Sequence, residues 1–250
     1  MTQVEQLAQF VTDASYDALS ETAREHLKIR ILDSIACAIG SLGAEPVEWI
    51  RKHVETFGGG PHCTLIGGRR TAPDRATLFN GALVRYLDFN DSYLALDETC
   101  HPSDNLAPIV AAAEYADLSG QDLLTALAIA YQVQCRLSDV APVRAKGFDH
   151  TTQGAYAVAA GVSRALSLDR VKTANAIAIS GTAFNAVCHA NRRPVSLEGA
   201  CLPEYCGLLR KCDISRQARH HRPARDIRRQ QGIQGFHRRP FRDQLAERGP

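Results

Sequence analysis

Tyr86-Leu-Asp-Phe-Asn-Asp-Ser-Tyr93, followed by Cys100-His-Pro-Ser-Asp-Asn105, is a polar interruption between two long apolar segments. We call residues 86–105 the polar segment. Its ionisable and hydroxyl side chains include Asp88, Asp91, Ser92, Asp97, Glu98, His101, Ser103 and Asp104. A globular chain rarely places so many polar groups between apolar segments unless they face a cleft. We therefore expect the polar segment to form half of an active site.

The sequence on both sides of the polar segment is predicted to be helical. Pro73 and Pro102 suit the first turns of two helices that flank it. Ser20 and Asp169 are good N-caps for helices farther out. Helices are also expected over 3–12, 47–57, 121–137 and 153–166. The helix after Ser20 should bury the face formed by Ala23, Leu27, Ile31, Ile35 and Ala38 or Ile39.

Alanine is dense in these segments, and period-two alternation of β-branched residues is nearly absent. Small side chains let helices approach one another closely. The predicted class is mainly α, and the predicted architecture is a tightly packed, Ala-rich helical bundle.

Composition excludes several other classes of protein. The chain is 45% hydrophobic and 22% charged, which is typical of a soluble globular protein. No apolar run reaches the roughly 18 residues of a membrane span, and the N-terminus does not resemble a signal peptide, so we expect a cytoplasmic location. The eight cysteines are mostly isolated, which favours buried free thiols over disulfides or an iron–sulfur cluster.

Charge is unevenly distributed along the chain. Residues 210–250 carry 12 Lys and Arg against four Asp and Glu, whereas residues 1–209 carry 17 against 23. The C-terminal part also has few aliphatic residues. We therefore expect an Arg-rich tail over 197–250 that is disordered, because it has too little apolar surface to form a core.

The spacing of the polar segment leaves two interpretations open. His101 and Pro102 stand where a helix should begin, and free N–H groups there favour anions. A histidine at that position, close to carboxylates, is typical of a general acid or base for an acidic substrate. Alternatively, Ser103 or Asp104 only caps the helix, and Asp91 only caps a turn.

The two parts of the polar segment, 87–93 and 101–105, resemble the signature of the MmgE/PrpD family. This family includes 2-methylcitrate dehydratase, cis-aconitate decarboxylase and iminodisuccinate epimerase. The resemblance runs from about residue 5 to about residue 196 and includes the loop Lys146-Gly-Phe-Asp-His150. It implies a helical N-terminal domain and a lyase or isomerase that moves protons next to a carboxylate of a small di- or tricarboxylate. It further implies a homodimer and no metal or other cofactor.

The resemblance also implies the site residues. Asp88, His101 and His150 match catalytic positions of the family. One of the two histidines would handle the substrate proton or the leaving hydroxyl, and Asp88 would orient a histidine. Ser92 and the N-terminal amides at Ser103 would hold a carboxylate. Two cations of the loop before His150, Arg144 and Lys146, are candidate anion anchors for the substrate, and the alternative is that each is only a solvated loop residue.

The resemblance ends near residue 196. Family members continue with a Trp-Lys-Gly-Leu-Ala segment, whose lysine belongs to the active site, and with a second, α+β domain. This chain has Leu197-Glu-Gly-Ala200 instead. We hypothesise a shift of reading frame, because the codons of 197–200 and of 229–234, read one base later, can encode Trp-Lys-Gly-Leu and Gly-Asn-Lys-Gly-Phe-Lys. Reading the gene in that frame tests this. We expect no turnover from a chain that lacks the lysine and the second domain.

Three functions outside the family stay open. Cys201, Cys206, Cys212, His220 and His221 could bind zinc, although their spacing does not match the usual zinc motifs. The basic tail could bind nucleic acid, although no helix–turn–helix pattern precedes it. The bundle could also be a non-catalytic scaffold. We expect a small carboxylate as the partner, and neither nucleic acid nor a membrane.

Overall fold

A computed structural model describes residues 1–185 of the chain. The predicted boundary at 196, the tail 197–250 and the four cysteines from Cys188 onward lie outside the described residues. Eight α-helices make up most of the described part: α1 (Gln3–Asp13), α2 (Glu21–Gly40), α3 (Glu45–Phe57), α4 (Pro73–Tyr86), α5 (Leu106–Tyr115), α6 (Gly120–Val140), α7 (Thr151–Ala165) and α8 (Arg170–Ala183). The prediction of a mainly α bundle is confirmed.

Local signals in the sequence determine where several helices begin. The Ser20 hydroxyl accepts a hydrogen bond from Ala23 N at 3.2 Å, and the Asp169 carboxylate accepts one from Lys172 N at 2.9 Å. Both predicted N-caps are therefore confirmed. Pro73 lies in the first turn of α4, as expected, since a proline there forfeits no helical hydrogen bond.

Two short antiparallel hairpins complete the described part. In the first, β1 (Cys63–Thr64) pairs with β2 (Arg70–Thr71). In the second, β3 (Tyr93–Leu94) pairs with β4 (Thr99–Cys100), and this hairpin lies inside the polar segment. The sequence did not predict it. A 3₁₀ turn over Pro102–Asn105 then leads from β4 into α5.

The buried apolar side chains form two clusters that meet at α5. The larger cluster joins α1, α6, α7 and α8, and it includes Ile109 of α5. The smaller cluster joins α3, α4 and the first hairpin, and it includes Ala111 of α5. The helix that begins directly after the polar segment, α5, therefore contributes to both clusters.

Gly161 shows how closely the helices approach. A Cβ atom at this position of α7 would lie 2.6 Å from Ile109 Cδ1 and 3.0 Å from the Ala126 carbonyl oxygen. Real Cβ atoms do not approach other heavy atoms at the shorter of these distances. The absence of a side chain at Gly161 therefore allows α7 to pack directly against α5 and α6, as the Ala-rich sequence predicts.

The predicted buried face of α2 is partly wrong. Ala23, Leu27 and Ala38 are buried as expected, but Ile35 is 37% exposed and Ile39 is 56% exposed. The helix has apolar residues on both of its sides, so helical spacing alone could not select the buried one. Ile29, Leu32, Ile35 and Ile39 form an exposed apolar stripe on α2.

The four cysteines within the described part agree with the expectation of free thiols. Cys37, Cys63, Cys100 and Cys135 are all reduced and buried. Desolvation by burial raises the pKa of the Cys37 and Cys63 thiols, so both stay protonated at neutral pH. Separately, none of the helices within residues 1–185 combines the length and the apolar character needed to cross a membrane.

Candidate active site

The second hairpin places His101, which follows β4 directly. The Tyr93 hydroxyl of β3 lies 2.8 and 3.0 Å from the two carboxylate oxygens of Asp139, near the end of α6. Burial and this carboxylate raise the pKa of Tyr93 well above its usual value, so the phenol remains a donor. The hydrogen bond therefore fixes the hairpin against α6.

His101 is held by its own segment of chain. Its Nδ1 atom lies 2.8 Å from the carbonyl oxygen of Asp91 and 3.2 Å from Ser92 Oγ. Because a carbonyl oxygen can only accept, Nδ1 must carry the hydrogen in this contact. In the neutral ring, Nε2 is then the nitrogen with a lone pair, and it is able to accept a proton.

Asp91 holds the start of the next helix. The residue is 2% exposed, and its carboxylate accepts hydrogen bonds from Ser103 N at 2.9 Å and from the Tyr131 hydroxyl at 3.0 Å. Burial, reinforced by the charge of Asp91, raises the pKa of Tyr131, which stays a donor. Of the caps that the alternative interpretation names, Ser103 and Asp104 do not cap the turn that begins after His101, whereas Asp91 accepts the Ser103 amide of that turn.

Ser103 is fully buried inside this network. Its hydroxyl accepts a hydrogen bond from Asn90 Nδ2 at 2.7 Å, while its amide is bound by Asp91. The Ser103 amide, which the family resemblance assigns to a substrate carboxylate, is therefore engaged within the protein. Substrate binding by Ser103 stays a prediction, and the geometry favours a structural role.

His150, the residue before α7, lies next to His101. The two ring centroids are 5.4 Å apart and the ring planes meet at 69°. We call His101 and His150 the histidine pair. His150 is 9% exposed, and its Nδ1 atom makes no hydrogen bond, although Asp149 Oδ1 lies 3.4 Å away. A buried ring nitrogen without a hydrogen bond is uncommon and marks this position as a functional candidate.

Burial lowers the pKa of His150, because the apolar surroundings disfavour the charged ring. The carboxylates of Asp149 and Asp104 oppose this effect, whereas His101 and Arg85 add to it. The net effect is to lower the pKa of His150, so its imidazole is neutral at pH 7.

The lowered pKa predicts an acid-sensitive fold. Since the unfolded chain binds a proton at residue 150 more tightly than the folded chain does, stability should fall as pH drops below about 6.5 and stop falling below the folded pKa. His150→Gln removes this difference. We expect the variant to lose less free energy of unfolding than the wild type between pH 7 and pH 5, measured by urea denaturation.

His53→Gln, at an exposed position of α3, provides the matched control for that measurement. It should keep the acid dependence of the wild type. Equal losses of stability on acidification in the wild type and in His150→Gln would contradict the lowered pKa.

Arg85 joins the carboxylates of this region. Its Nη1 atom lies 2.8 Å from Asp88 Oδ1 and donates to Asn90 Oδ1 at 3.1 Å, and its Nε atom is 4.0 Å from Asp104 Oδ1. Asp88 itself follows the end of α4 with a left-handed backbone, at a φ of 55°. The resemblance assigns Asp88 to orienting a histidine, which stays a prediction; the described ion pair connects it to Arg85.

The two predicted cations of the loop before His150 differ in their surroundings. Arg144 Nε is 3.4 Å from Glu98 Oε1, so part of its charge is offset by a carboxylate. Lys146 is exposed at the end of the 3₁₀ turn Arg144–Lys146. Anion binding stays a prediction for both, and Lys146 is the more available of the two.

Sequence reasoning missed several polar residues of this region. Arg85 and Tyr131 lie in segments for which the sequence predicts only a helix, and the sequence assigns no role to Glu98. The polar side chains of Tyr131 and Gln134 are one helical turn apart on α6, and this spacing is the signal that could have revealed Tyr131. Gln134 Oε1 accepts a hydrogen bond from Asn105 Nδ2.

The sequence matches the MmgE/PrpD N-terminal domain over residues 5–200, which is most of the chain. The chain belongs to the MmgE/PrpD family. The match includes the polar segment, the histidine pair, helices α2 to α8 and most of α1. The MmgE/PrpD resemblance seen in the sequence is thereby confirmed.

Relatives of this MmgE/PrpD chain include enzymes named for a tricarboxylate. The mitochondrial 2-methylcitrate dehydratase of Yarrowia lipolytica is 30% identical over 203 residues, covering 75% of this chain and 38% of that protein. The 2-methylcitrate dehydratase of Escherichia coli K12 is 28% identical over 178 residues, covering 66% and 37%. A cis-aconitate decarboxylase-like protein of Aspergillus oryzae is 26% identical over 190 residues, covering 71% and 39%. The chain spans less than two fifths of the length of these relatives.

Proposed function

We propose that this chain provides the helical part of the active site of a lyase or isomerase that acts on a small di- or tricarboxylate. The observation that carries the proposal is the histidine pair, whose rings lie 5.4 Å apart. The names of the relatives support a 2-methylcitrate-like substrate and a dehydration. The resemblance to the family supports a reaction that needs no metal or other cofactor.

The environments of the two histidines support different roles. His150 is kept neutral by burial and is suited to remove a proton from the carbon next to a substrate carboxylate. His101 keeps its Nδ1–H on the Asp91 carbonyl in either protonation state, so a proton on Nε2 can be given to the leaving hydroxyl. The C–H and C–O bonds break, a C=C bond forms, and the hydroxyl leaves as water.

Positive charge close to the pair supports binding of an acidic substrate. Arg85 contributes to the electrostatic environment of His150, and Lys146 is exposed in the loop four residues before it. Arg85 is already paired with Asp88, so its role would be to hold that carboxylate in place. Lys146 is then our candidate for a direct contact with a substrate carboxylate.

Binding of citrate to the full 250-residue chain tests the proposal. Citrate should shift the imidazole NMR signals of His101 and His150 and raise the melting temperature in a concentration-dependent way. His150→Asn should weaken binding by about tenfold or more, corresponding to about 1.4 kcal/mol. His53→Asn, on the exposed side of α3, is the control and should bind as the wild type does.

The alternative function, a non-catalytic helical scaffold, makes the opposite prediction. Neither the imidazole signals nor the melting temperature would then respond to citrate at any concentration, while the fold stayed intact. From the family resemblance alone, we also propose a cytoplasmic homodimer that binds neither nucleic acid nor a membrane.

A further inference from the structure

We propose that Glu98 is a positioning residue, which sets the distance between His101 and His150 by binding the backbone that leads to His150. The inference rests on the proposed function, because it assigns a purpose to the geometry of the histidine pair. No catalytic contact is assigned to Glu98 itself.

Glu98 is an unusual residue for a hairpin turn. Its side chain is fully buried and the residue as a whole is 3% exposed, whereas Leu96 in the same turn is 97% exposed. Burying a carboxylate is strongly unfavourable unless hydrogen bonds and opposite charge compensate the loss of hydration. We therefore expect the Glu98 carboxylate to have well-defined hydrogen-bond and ion-pair partners.

The partners lie far away in the sequence and just before His150. Glu98 Oε2 accepts hydrogen bonds from Val143 N at 2.8 Å and Arg144 N at 2.9 Å. The other oxygen, Oε1, accepts from Thr99 N at 3.3 Å and lies 3.4 Å from Arg144 Nε. One side chain thus satisfies two consecutive backbone amides of the loop after α6.

Short, constrained links connect these contacts to both histidines. His101 follows Glu98 by three residues, across strand β4. On the other side, Phe148 N donates to the Val143 carbonyl at 3.1 Å, which closes the loop around Gly147 directly before Asp149 and His150. Loss of the Glu98 contacts would therefore free the loop that delivers His150 while leaving His101 on its hairpin.

A purely local role for Glu98 is the competing explanation, and the chain offers a matched control for it. Glu114 makes the same type of contact across the chain: its carboxylate accepts from Thr64 N at 2.7 Å and from Thr64 Oγ1 at 2.6 Å. These contacts join the far end of α5 to β1, away from the histidine pair. Removing Glu114 should affect the fold without affecting the pair.

The test compares Glu98→Ala, Glu98→Gln and Glu114→Ala in the full chain without ligand. In the wild type, a nuclear Overhauser contact should join the ring protons of His101 and His150, and His150 should titrate below its ordinary value. Glu98→Ala should lose the contact and move the His150 midpoint toward about 6.5, because the loop no longer keeps the ring buried. Glu98→Gln should retain both, since one amide oxygen can replace Oε2 as the acceptor of both N–H groups.

Glu114→Ala should keep the ring contact and the His150 midpoint, even where its melting temperature falls as far as that of Glu98→Ala. A Glu98→Ala protein with the wild-type contact and midpoint would overturn the inference. Should that variant not fold, hydrogen exchange on the wild type decides: the Val143 and Arg144 amides should be protected by at least about 100-fold, and unprotected amides would overturn the inference. Because no ligand is used, failure of citrate binding in the wild type would count only against the proposed function.

Discussion

Asp91→Ala is expected to lower the free energy of unfolding by about 3–5 kcal/mol. The substitution leaves two buried donors, Ser103 N and the Tyr131 hydroxyl, without their acceptor. Each unsatisfied buried group costs about 1–3 kcal/mol, and the missing side chain adds a small cavity. Urea denaturation followed by circular dichroism measures the loss.

Two conservative variants separate the contributions at Asp91. Asp91→Asn retains an oxygen for Ser103 N, and its amide can donate to the Tyr131 oxygen, so the loss should be about 1 kcal/mol. Tyr131→Phe removes one donor but leaves the carboxylate bound to Ser103 N. A wild-type urea midpoint for Asp91→Ala would show that the network does not support the fold.

Gly161→Leu is expected to cost about 3 kcal/mol or more, and to break the packing of α7 on α5 and α6. Even a methyl group at this position would lie 2.6 Å from Ile109 Cδ1, 3.0 Å from Ala126 O and 3.1 Å from Ala130 Cβ. The Ile109 side chain can move, but the Ala126 carbonyl belongs to the backbone of α6 and cannot. Thermal melting of the variant should show an earlier and broader transition.

Gly154→Ala in the same helix is the control for Gly161→Leu. The nearest atom to a Cβ at residue 154 is Gln134 Nε2 at 3.5 Å, an ordinary contact distance. Since alanine is the better helix former, this variant should be more stable than the wild type by about 0.5–1 kcal/mol. If Gly161→Leu melted at the wild-type temperature, the close approach of the three helices would be incorrect.

The parts of the fold that depend on residues close together in the sequence were predictable. Ser20 and Asp169 cap helices through contacts three residues away, and Pro73 marks a helix start by its own geometry. The β3–β4 hairpin was not predictable, because its four paired residues lie in a polar stretch without alternation. The sequence could not identify which side of α2 is buried, because the exposed Ile35 and Ile39 are as apolar as the residues that are buried.

The candidate site was likewise predictable only in part. The resemblance to a family selected His101 and His150, but spacing alone could not bring together two residues 49 positions apart. The supporting contacts were missed for the same reason: Tyr131 meets Asp91 across 40 residues, and Glu98 meets Val143 across 45. Such partners are determined by the packing of α6 and α7, which no local pattern encodes.

The left-handed backbone at Asp88 limits which residues evolution can place there. Glycine, asparagine and aspartate enter this region at low cost, whereas most other residues incur about 1 kcal/mol or more. Of these three, only aspartate carries the negative charge that meets Arg85. The backbone conformation therefore disfavours replacement by glutamate, which is a common substitute for aspartate elsewhere. Replacement by glycine would relax the turn but remove the carboxylate. At position 88 the backbone thus admits three residues at low cost, and the ion pair with Arg85 retains only aspartate.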